Sequence, residues 1–366
     1  MSDRVLTRRE LNRAILERQM LLRRAPASPI EVMERLVGMQ AQVPGDPYVA
    51  LWSRIEGFEP DQLSQLIATR RAVRVVTLLR STIHLTSDRD CLAIRAVLQP
   101  MVERLFGYSP FARALAGVDV HEVVAAGRTI LAEGPQTISE IGRRLARRWP
   151  DRDAAALGYA VRYLVPMVQV PPRGLWGRSG QPRLESVERW LDRPLDGSAT
   201  VDDLVMRYLG AFGPASVKDV QVWSYLSGVR EVIDRLRPRL RTFRDEQGRE
   251  LFDVPDGPLP DPETPAPVRF LPEYDNLYLS HHDRSRVGGP AFRQREWMKG
   301  SFSVDGFLAG TWRMDTKSEE TVLRIGSFGD LTDVALGEVE AEASAVMAFA
   351  APHGMQRRLE VVDLRD

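Results

Sequence analysis

The chain predicts an α+β protein in which helix, turn, helix, hairpin units repeat ahead of a C-terminal β unit. Three observations predict it: an internal repeat in the middle of the sequence, a glycine-centred hairpin pattern after each copy, and a proline-rich break followed by short alternating runs. With 366 residues, the chain is long enough for roughly two to four compact units with their own cores.

At the start, Leu6 to Leu22 reads as one helix and the apolar-periodic stretch Ile30 to Met39 as another. The breaker run Pro44-Gly45-Asp46-Pro47 must end the second helix, so Gln40 and Gln42 fall at its C-terminus or on the loop beyond. Ala72 to Leu85 alternates toward a strand pair ending in Thr82-Ile83-His84-Leu85, which makes a third, less distinct copy of the unit plausible here.

The repeat itself lies further on. Gly134-Pro135-Gln136-Thr137-Ile138-Ser139-Glu140-Ile141 matches Gly213-Pro214-Ala215-Ser216-Val217-Lys218-Asp219-Val220 in pattern. In each, a hydroxyl residue can cap a helix while the acid three positions later closes a capping box, Thr137 with Glu140 and Ser216 with Asp219. A second periodic segment follows each copy, then a hairpin pattern with glycine in the turn: Leu175 to Leu184, and Arg241 to Phe252. Helix, turn, helix, hairpin is the winged-helix order, in which one helix can enter a major groove and the hairpin can touch an adjacent groove or backbone.

Residues 255–268 hold six prolines in fourteen, too many for a helix or a central strand, so they form a linker or an extended edge. Beyond them, runs such as Phe270-Leu271, Tyr278-Leu279, Phe307 to Trp312 and Thr321 to Ile325 suggest a small barrel or sandwich. A last helix is expected over Leu336 to Met347.

Charge and composition narrow the function. Formal net charge is zero, so any phosphate-binding surface must come from local clusters. Only Lys218, Lys299 and Lys317 are lysine among 50 cations; arginine's planar fork suits phosphates and base edges, although a GC-rich genome produces the same bias. Cys91 is the sole cysteine, which excludes an internal disulfide and a cysteine-based zinc site and fits a reducing, cytoplasmic setting. No stretch has signal-peptide character and nowhere do 18 apolar residues run uninterrupted, so no membrane partner is expected. Phosphate loops, dinucleotide fingerprints, nucleophile elbows and His-Glu-x-x-His motifs are all missing. No metal and no cofactor are expected.

Candidate site residues remain. The carboxamides Gln40 and Gln42 can position water. Arg80, Ser81 and Thr82 suit a DNA backbone, as do Arg173, Trp176 and Arg178 at the first wing, with Trp176 weighted toward packing. His281, His282, Arg284 and Arg286 could meet phosphates; the competing reading pairs Asp275 with Arg284 and leaves both histidines in solvent.

Three segments carry a resemblance: Gly38-Met39-Gln40-Ala41-Gln42-Val43-Pro44-Gly45-Asp46-Pro47-Tyr48, Leu79-Arg80-Ser81-Thr82-Ile83-His84-Leu85 and Leu271-Pro272-Glu273-Tyr274-Asp275-Asn276. With them, the chain resembles the AlkZ/YcaQ family of bacterial DNA glycosylases over nearly its whole length. The resemblance implies three tandem winged-helix motifs and a C-terminal β-barrel around a concave DNA channel. The units would span 1–120, 121–197, 198–265 and 266–366, with Gln40 and Gln42 as the catalytic motif. It further implies a monofunctional enzyme acting on double-stranded DNA that carries N7-alkylated purines, including bulky adducts and interstrand crosslinks; a monomer is the default expectation for an enzyme that acts on a single lesion. Gln42, where YcaQ-type members have Asp, points to the AlkZ type and to self-resistance against a genotoxic natural product. Which glutamine holds the water is left open. A non-enzymatic winged-helix regulator is the alternative, and a protein that sequesters the free drug is a third.

Overall fold

The computed structural model describes residues 4–288, 299–317, 320–351 and 354–363. Strand β1 (Val5–Leu6) and helix α1 (Arg8–Arg18) come first. A unit then runs α2 (Pro29–Arg35), β2 (Met39–Gln40), α3 (Asp46–Trp52), α4 (Pro60–Ala68), β3 (Ala72–Val75) and β4 (His84–Ser87). Helices α5 (Asp88–Val97), α6 (Gln99–Gly107) and α7 (Pro110–Ala114) lead to a second unit: α8 (Val120–Ala132), α9 (Ile138–Leu145), α10 (Ala154–Leu164), β5 (Met167–Gln169) and β6 (Leu184–Ser186). After α11 (Val187–Leu191) a third follows: α12 (Val201–Phe212), α13 (Val217–Ser224), α14 (Val229–Leu236), β7 (Arg241–Asp245) and β8 (Glu250–Asp253). The C-terminal part is β9 (Arg269–Leu271), α15 (Asn276–Leu279), β10 (Gly300–Val304), β11 (Phe307–Lys317), β12 (Glu320–Ser327), α16 (Asp333–Ala350) and β13 (Gln356–Asp363).

The three units share one pairing scheme. In each, a residue between the first and second helix pairs antiparallel with the second strand of the hairpin: Gln40 with His84, Gln136 with Leu184, Ala215 with Phe252. The anticipated capping boxes form. Thr137 accepts from the Glu140 N–H at 3.2 Å while its own N–H donates to the Glu140 carboxylate at 2.7 Å, and Ser216 and Asp219 do the same at 3.2 and 2.8 Å. Each side-chain cap stabilises its helix by about 1 kcal/mol. Helices α9 and α10 lie close together because Gly142 has no side chain; a Cβ there would sit 2.1 Å from the Ala154 carbonyl oxygen.

Several expectations need correction. Ile30 to Met39 is not one helix. It ends at Arg35, Val37 and Gly38 turn with φ of 55° and 89°, and Met39–Gln40 extend into a sheet. Asn276 donates to the freed Leu36 and Gly38 carbonyls at 3.3 and 2.8 Å, which stabilises that turn. The N-terminal helix is shorter than Leu6 to Leu22, because Leu6 pairs with β7 and Thr7 caps α1 in a box with Glu10. The hairpin of the second unit is formed by Met167–Gln169 and Leu184–Ser186, so of Leu175–Leu184 only Leu184 is in a strand and Trp176 sits in the intervening loop. Tyr278 and Leu279 are helical, and β13 was not anticipated.

Sheet order explains how the units join. One five-stranded sheet, β2-β4-β3-β5-β6, runs through the first and second units, with Arg74 and Val75 of β3 opposite Gln169 and Val168 of β5. A three-stranded sheet, β1-β7-β8, ties the N-terminus to the third. The C-terminal sheet, β13-β12-β11-β10-β9, is open with β13 and β9 at its edges, not the closed barrel expected. Helix α16 covers one face of it, packing Val339, Ala343, Val346 and Met347 on Phe270, Phe302, Leu323 and Ile325, so burial is achieved without closure.

Two buried ion pairs fasten distant segments. Arg18 of α1 grips Asp253 of β8 at 2.7 and 2.9 Å, both side chains fully enclosed, and Arg241 adds a third contact at 2.7 Å. Arg54, just after α3, holds Asp275 at 2.7 and 3.0 Å. Asp275 therefore pairs with Arg54, not with Arg284. No helix among the described residues is long and apolar enough to cross a membrane.

Candidate active site around Gln40 and Gln42

Gln40 ends β2 at the edge of the five-stranded sheet, and residues two apart in an extended chain project to the same side. Ala41 between the glutamines is pinned twice: its N–H donates to the Ile83 carbonyl at 2.8 Å, and its carbonyl accepts from Arg74 at 2.7 Å. Gln40 is buried and Gln42 exposed. The Gln40 amide nitrogen donates to the Gln42 side-chain oxygen in a short hydrogen bond. The Gln40 side-chain oxygen accepts from Arg80 Nη2 at 2.8 Å.

Arg80 reaches the pair from the β3–β4 hairpin loop, where Arg80 and Ser81 both take positive φ, 53° and 57°. Its Nη1 donates to the Trp223 carbonyl at 3.0 Å. His84 lies on the far side, its Nδ1 3.1 Å from the Thr82 carbonyl and its Nε2 3.5 Å from Arg80. Burial, reinforced by Arg80, pulls the His84 imidazole down to about 3, so the ring is neutral at physiological pH. Burial also lowers Arg80 to about 10, which leaves it charged.

Beyond Gln42 the chain enters α3 at Asp46, which is 8 % exposed with an Oδ2 that has no hydrogen-bond partner among the described residues. Burial raises its carboxyl to about 8, and Glu273 and Asp275 push in the same direction. Asp46 lines a cavity of about 840 Å³ with Glu273, Trp176 and Trp312. A larger cleft of about 1420 Å³ shares Trp176 and Gly45 with it and is walled by Tyr48, Trp52, Phe58 and Phe349. Among the described residues no cluster of three metal-ligating side chains occurs. Two carboxamides cannot take a proton at neutral pH, but they can hold and orient water.

The other site expectations divide. Arg80 turns inward to Gln40 instead of outward to a phosphate. Ser81 has an enclosed hydroxyl with no partner among the described residues, and Thr82 donates to the Leu79 carbonyl at 3.1 Å. Trp176 packs on Tyr48 and Phe349, with centroids 4.8 and 5.4 Å apart. Arg178 is exposed, while Arg173 is half-buried and donates to the Gly180 carbonyl at 3.3 Å. His281 and Arg286 are interior residues, not surface ones: His281 Nδ1 lies 2.8 Å from the Ser280 hydroxyl, and Arg286 donates to the Pro214 carbonyl at 2.9 Å. His282 is exposed, and Arg284 is half-buried with its Nε on the Tyr278 carbonyl at 3.0 Å. The Arg80–Gln40 contact escaped sequence reading, although a signal exists. In each repeated unit the segment between the first two helices pairs with the hairpin, which brings Gln40 beside the turn that holds Arg80.

No curated protein sequence matches the chain. Among solved structures, the Streptomyces sahachiroi DNA glycosylase AlkZ superposes with a TM-score of 0.75 at 18% sequence identity, covering 98% of this chain and 100% of that one. A family model described as DNA glycosylase AlkZ-like matches residues 33–349, a span that includes Gln40 and Arg80, the first repeated unit from within α2 onward, and the whole of the second and third. The chain belongs to the AlkZ-like family of DNA glycosylases.

Proposed function

We propose that this protein hydrolyses the N-glycosidic bond of N7-alkylated purines in duplex DNA, bulky adducts and crosslinks included, in self-resistance to a genotoxic natural product. The observation that carries the reading is the hydrogen-bonded pair of carboxamides, one buried and one exposed, at the edge of a sheet. Alkylation at N7 makes the purine a cation, so the base leaves readily and no general acid is required. The bond from C1′ to N9 breaks with its electron pair going to the base, which departs neutral. Water adds to the oxocarbenium-like sugar and loses a proton to solvent. Gln40 and Gln42 supply orientation, and proximity supplies much of the rate.

The shared pairing scheme supports reading the three units as winged-helix motifs, with the C-terminal unit taken as residues 266–366. Exposed Arg178 and His282 and half-buried Arg173 and Arg284 are the proposed phosphate contacts. A bulky adduct is hard to flip into a snug pocket; the clefts lined by Val43 and by Pro44, the residues that follow Gln42 in the chain, offer room for it in place.

The test is release of 7-methylguanine, and of a bulky natural-product guanine adduct, from duplex DNA by wild type, Gln40→Ala and Gln42→Ala. Release by wild type that both variants lose is expected. Wild-type rates in both variants would remove the pair from the mechanism. No release by any protein, with tight sequence-specific binding to undamaged duplex, would favour a regulator instead.

A further inference from the structure

We propose that Arg80 sets the polarity of the glutamine pair, so that Gln42 alone meets the water and the sugar while Gln40 holds Gln42 in position. The inference rests on the glycosylase reading above and assigns different work to the two amides.

A guanidinium only donates hydrogen bonds, whereas a carboxamide presents an acceptor on one side and donors on the other. A glutamine side chain is therefore free to flip unless a neighbour fixes it. Arg80 lies 2.8 Å from Gln40, so the atom facing it must be the Gln40 oxygen. The Gln40 NH₂ is thereby turned toward Gln42, and the atom it meets must be the Gln42 oxygen. The Gln42 NH₂ then points away from the pair, and the second lone pair of its oxygen remains for a water proton. Gln40 is enclosed and already bonded at both ends; Gln42 is exposed. One arginine fixes two flips.

Arg80 is held for this purpose from several sides. Consecutive non-glycine residues with positive φ are strained, and such strain concentrates at functional sites. The turn is closed by Leu78 N–H on the Thr82 carbonyl at 3.1 Å and Thr82 N–H on the Leu79 carbonyl at 3.1 Å. The Trp223 carbonyl, near the end of α13, takes the other guanidinium nitrogen. Neutral His84, donating through Nδ1 to Thr82, turns a bare Nε2 toward Arg80 and adds no competing proton. Arg80 is thus a positioning residue, coupled through Gln40 to the group that touches substrate.

The experiment compares wild type, Arg80→Met and Arg80→Lys in single-turnover release of 7-methylguanine, with duplex affinity measured across a salt series. Arg80→Met is expected to slow release about 10- to 100-fold, the scale of a misplaced reacting group, with duplex affinity within about twofold of wild type and its salt dependence unchanged. Arg80→Lys keeps a donor over Gln40 and should recover much of the rate. In a Gln42→Ala background, Arg80→Met should cost nothing further, because residues acting as a unit are not additive. If Arg80→Met does not fold, Arg80→Gln replaces it: that amide offers oxygen as readily as nitrogen, so the rate should still fall. A wild-type rate in the neutral variants overturns the proposal. So does lost duplex affinity with a salt slope reduced by about one, which would make Arg80 a phosphate contact. No release by wild type would instead overturn the glycosylase reading.

Discussion

The first and third units share one pairing scheme and use polar residues at the same junction for opposite ends. In the third, Ala215 bridges to Phe252 and Ser216, the next residue, caps α13. Asp253, beside the bridge, is sealed between Arg18 and Arg241. Both oxygens of the Asp253 carboxylate and the Ser216 hydroxyl are taken up by internal partners. In the first unit Gln40 bridges to His84, but α3 begins only after Ala41 to Gly45, and Gly45 supplies no side-chain cap. The inserted loop carries Gln42 to the surface, with an amide left over. A pairing scheme that closes one unit is opened in another by a few residues, and the opening is where chemistry becomes available.

The sharpest way to test the structural half of this contrast is Asp253→Ala. It leaves Arg18 fully buried without its partner, and losing one member of a buried pair costs about 3–5 kcal/mol. The expected result is a large fall in Tm, measured by calorimetry, with base release per folded molecule unchanged at low temperature. If the loss fell on activity instead, the third unit would not be merely structural. On the other side, Gln40→Ala gives the first unit the alanine that the third carries. It should cost about 100-fold in single-turnover rate through lost positioning of Gln42, with Tm close to wild type.

Sequence reading reached this contrast only in part. The capping boxes at Thr137 and Ser216 were legible because a cap depends on residues three apart. The glutamine pair was legible as a pair of amides stranded beside breakers. Its attachment was not: Gln40 pairs with His84, 44 positions away by subtraction, and no local pattern reports a two-residue strand. Arg80 read as a DNA contact because sequence shows a cation on a loop and not its direction, which here is set by two residues with positive φ. His281 and Arg286 were misplaced for a similar reason. A polar run such as Ser280 to Arg286 looks like surface unless its partners, among them Pro214 and Tyr208, are known to cover it. The barrel failed on topology, since alternating runs fit an open sheet under a helix equally well.

The uncapped start of α3 has a pH signature. A carboxylate in a helix's first turn is ordinarily favoured as the anion, yet burial with Glu273 and Asp275 raises Asp46 to about 8. The unfolded chain gives up this proton near 3.8, the folded one not until about 8. Stability from this group is therefore complete below 3.8 and drains away as pH rises to 8. His84 works in the opposite sense: with a folded value of about 3 against 6.5, its contribution is complete above 6.5 and is lost as pH falls toward 3. Of the two, Asp46 alone acts between 6.5 and 8. Thermal denaturation over that interval should show declining stability in wild type and a flatter profile in Asp46→Asn, with the variant more stable at pH 8 by about 1–3 kcal/mol. An unchanged slope would mean that Asp46 ionises normally and that the α3 start is no different from the others.

The smallest expected effect is the most direct control on the comparison, because the second unit also has a glutamine at the bridging position. Gln136 pairs with Leu184 as Gln40 pairs with His84. It lacks everything that makes Gln40 useful. Thr137 follows it and caps α9 at once, no amide stands two residues on, and its own amide nitrogen reaches only the Gly134 carbonyl at 3.4 Å. Half-buried, with a long and weak bond, it contributes little to stability. Gln136→Ala should leave base release at the wild-type rate and stability within about 0.5 kcal/mol of wild type. Equal damage from Gln136→Ala and Gln40→Ala would show that the bridging position, rather than the Arg80–Gln40–Gln42 chain of donors and acceptors, is what these units require. A silent Gln136→Ala beside an inactive Gln40→Ala would assign the difference to the neighbours, since the residue type and the strand pairing are the same in both.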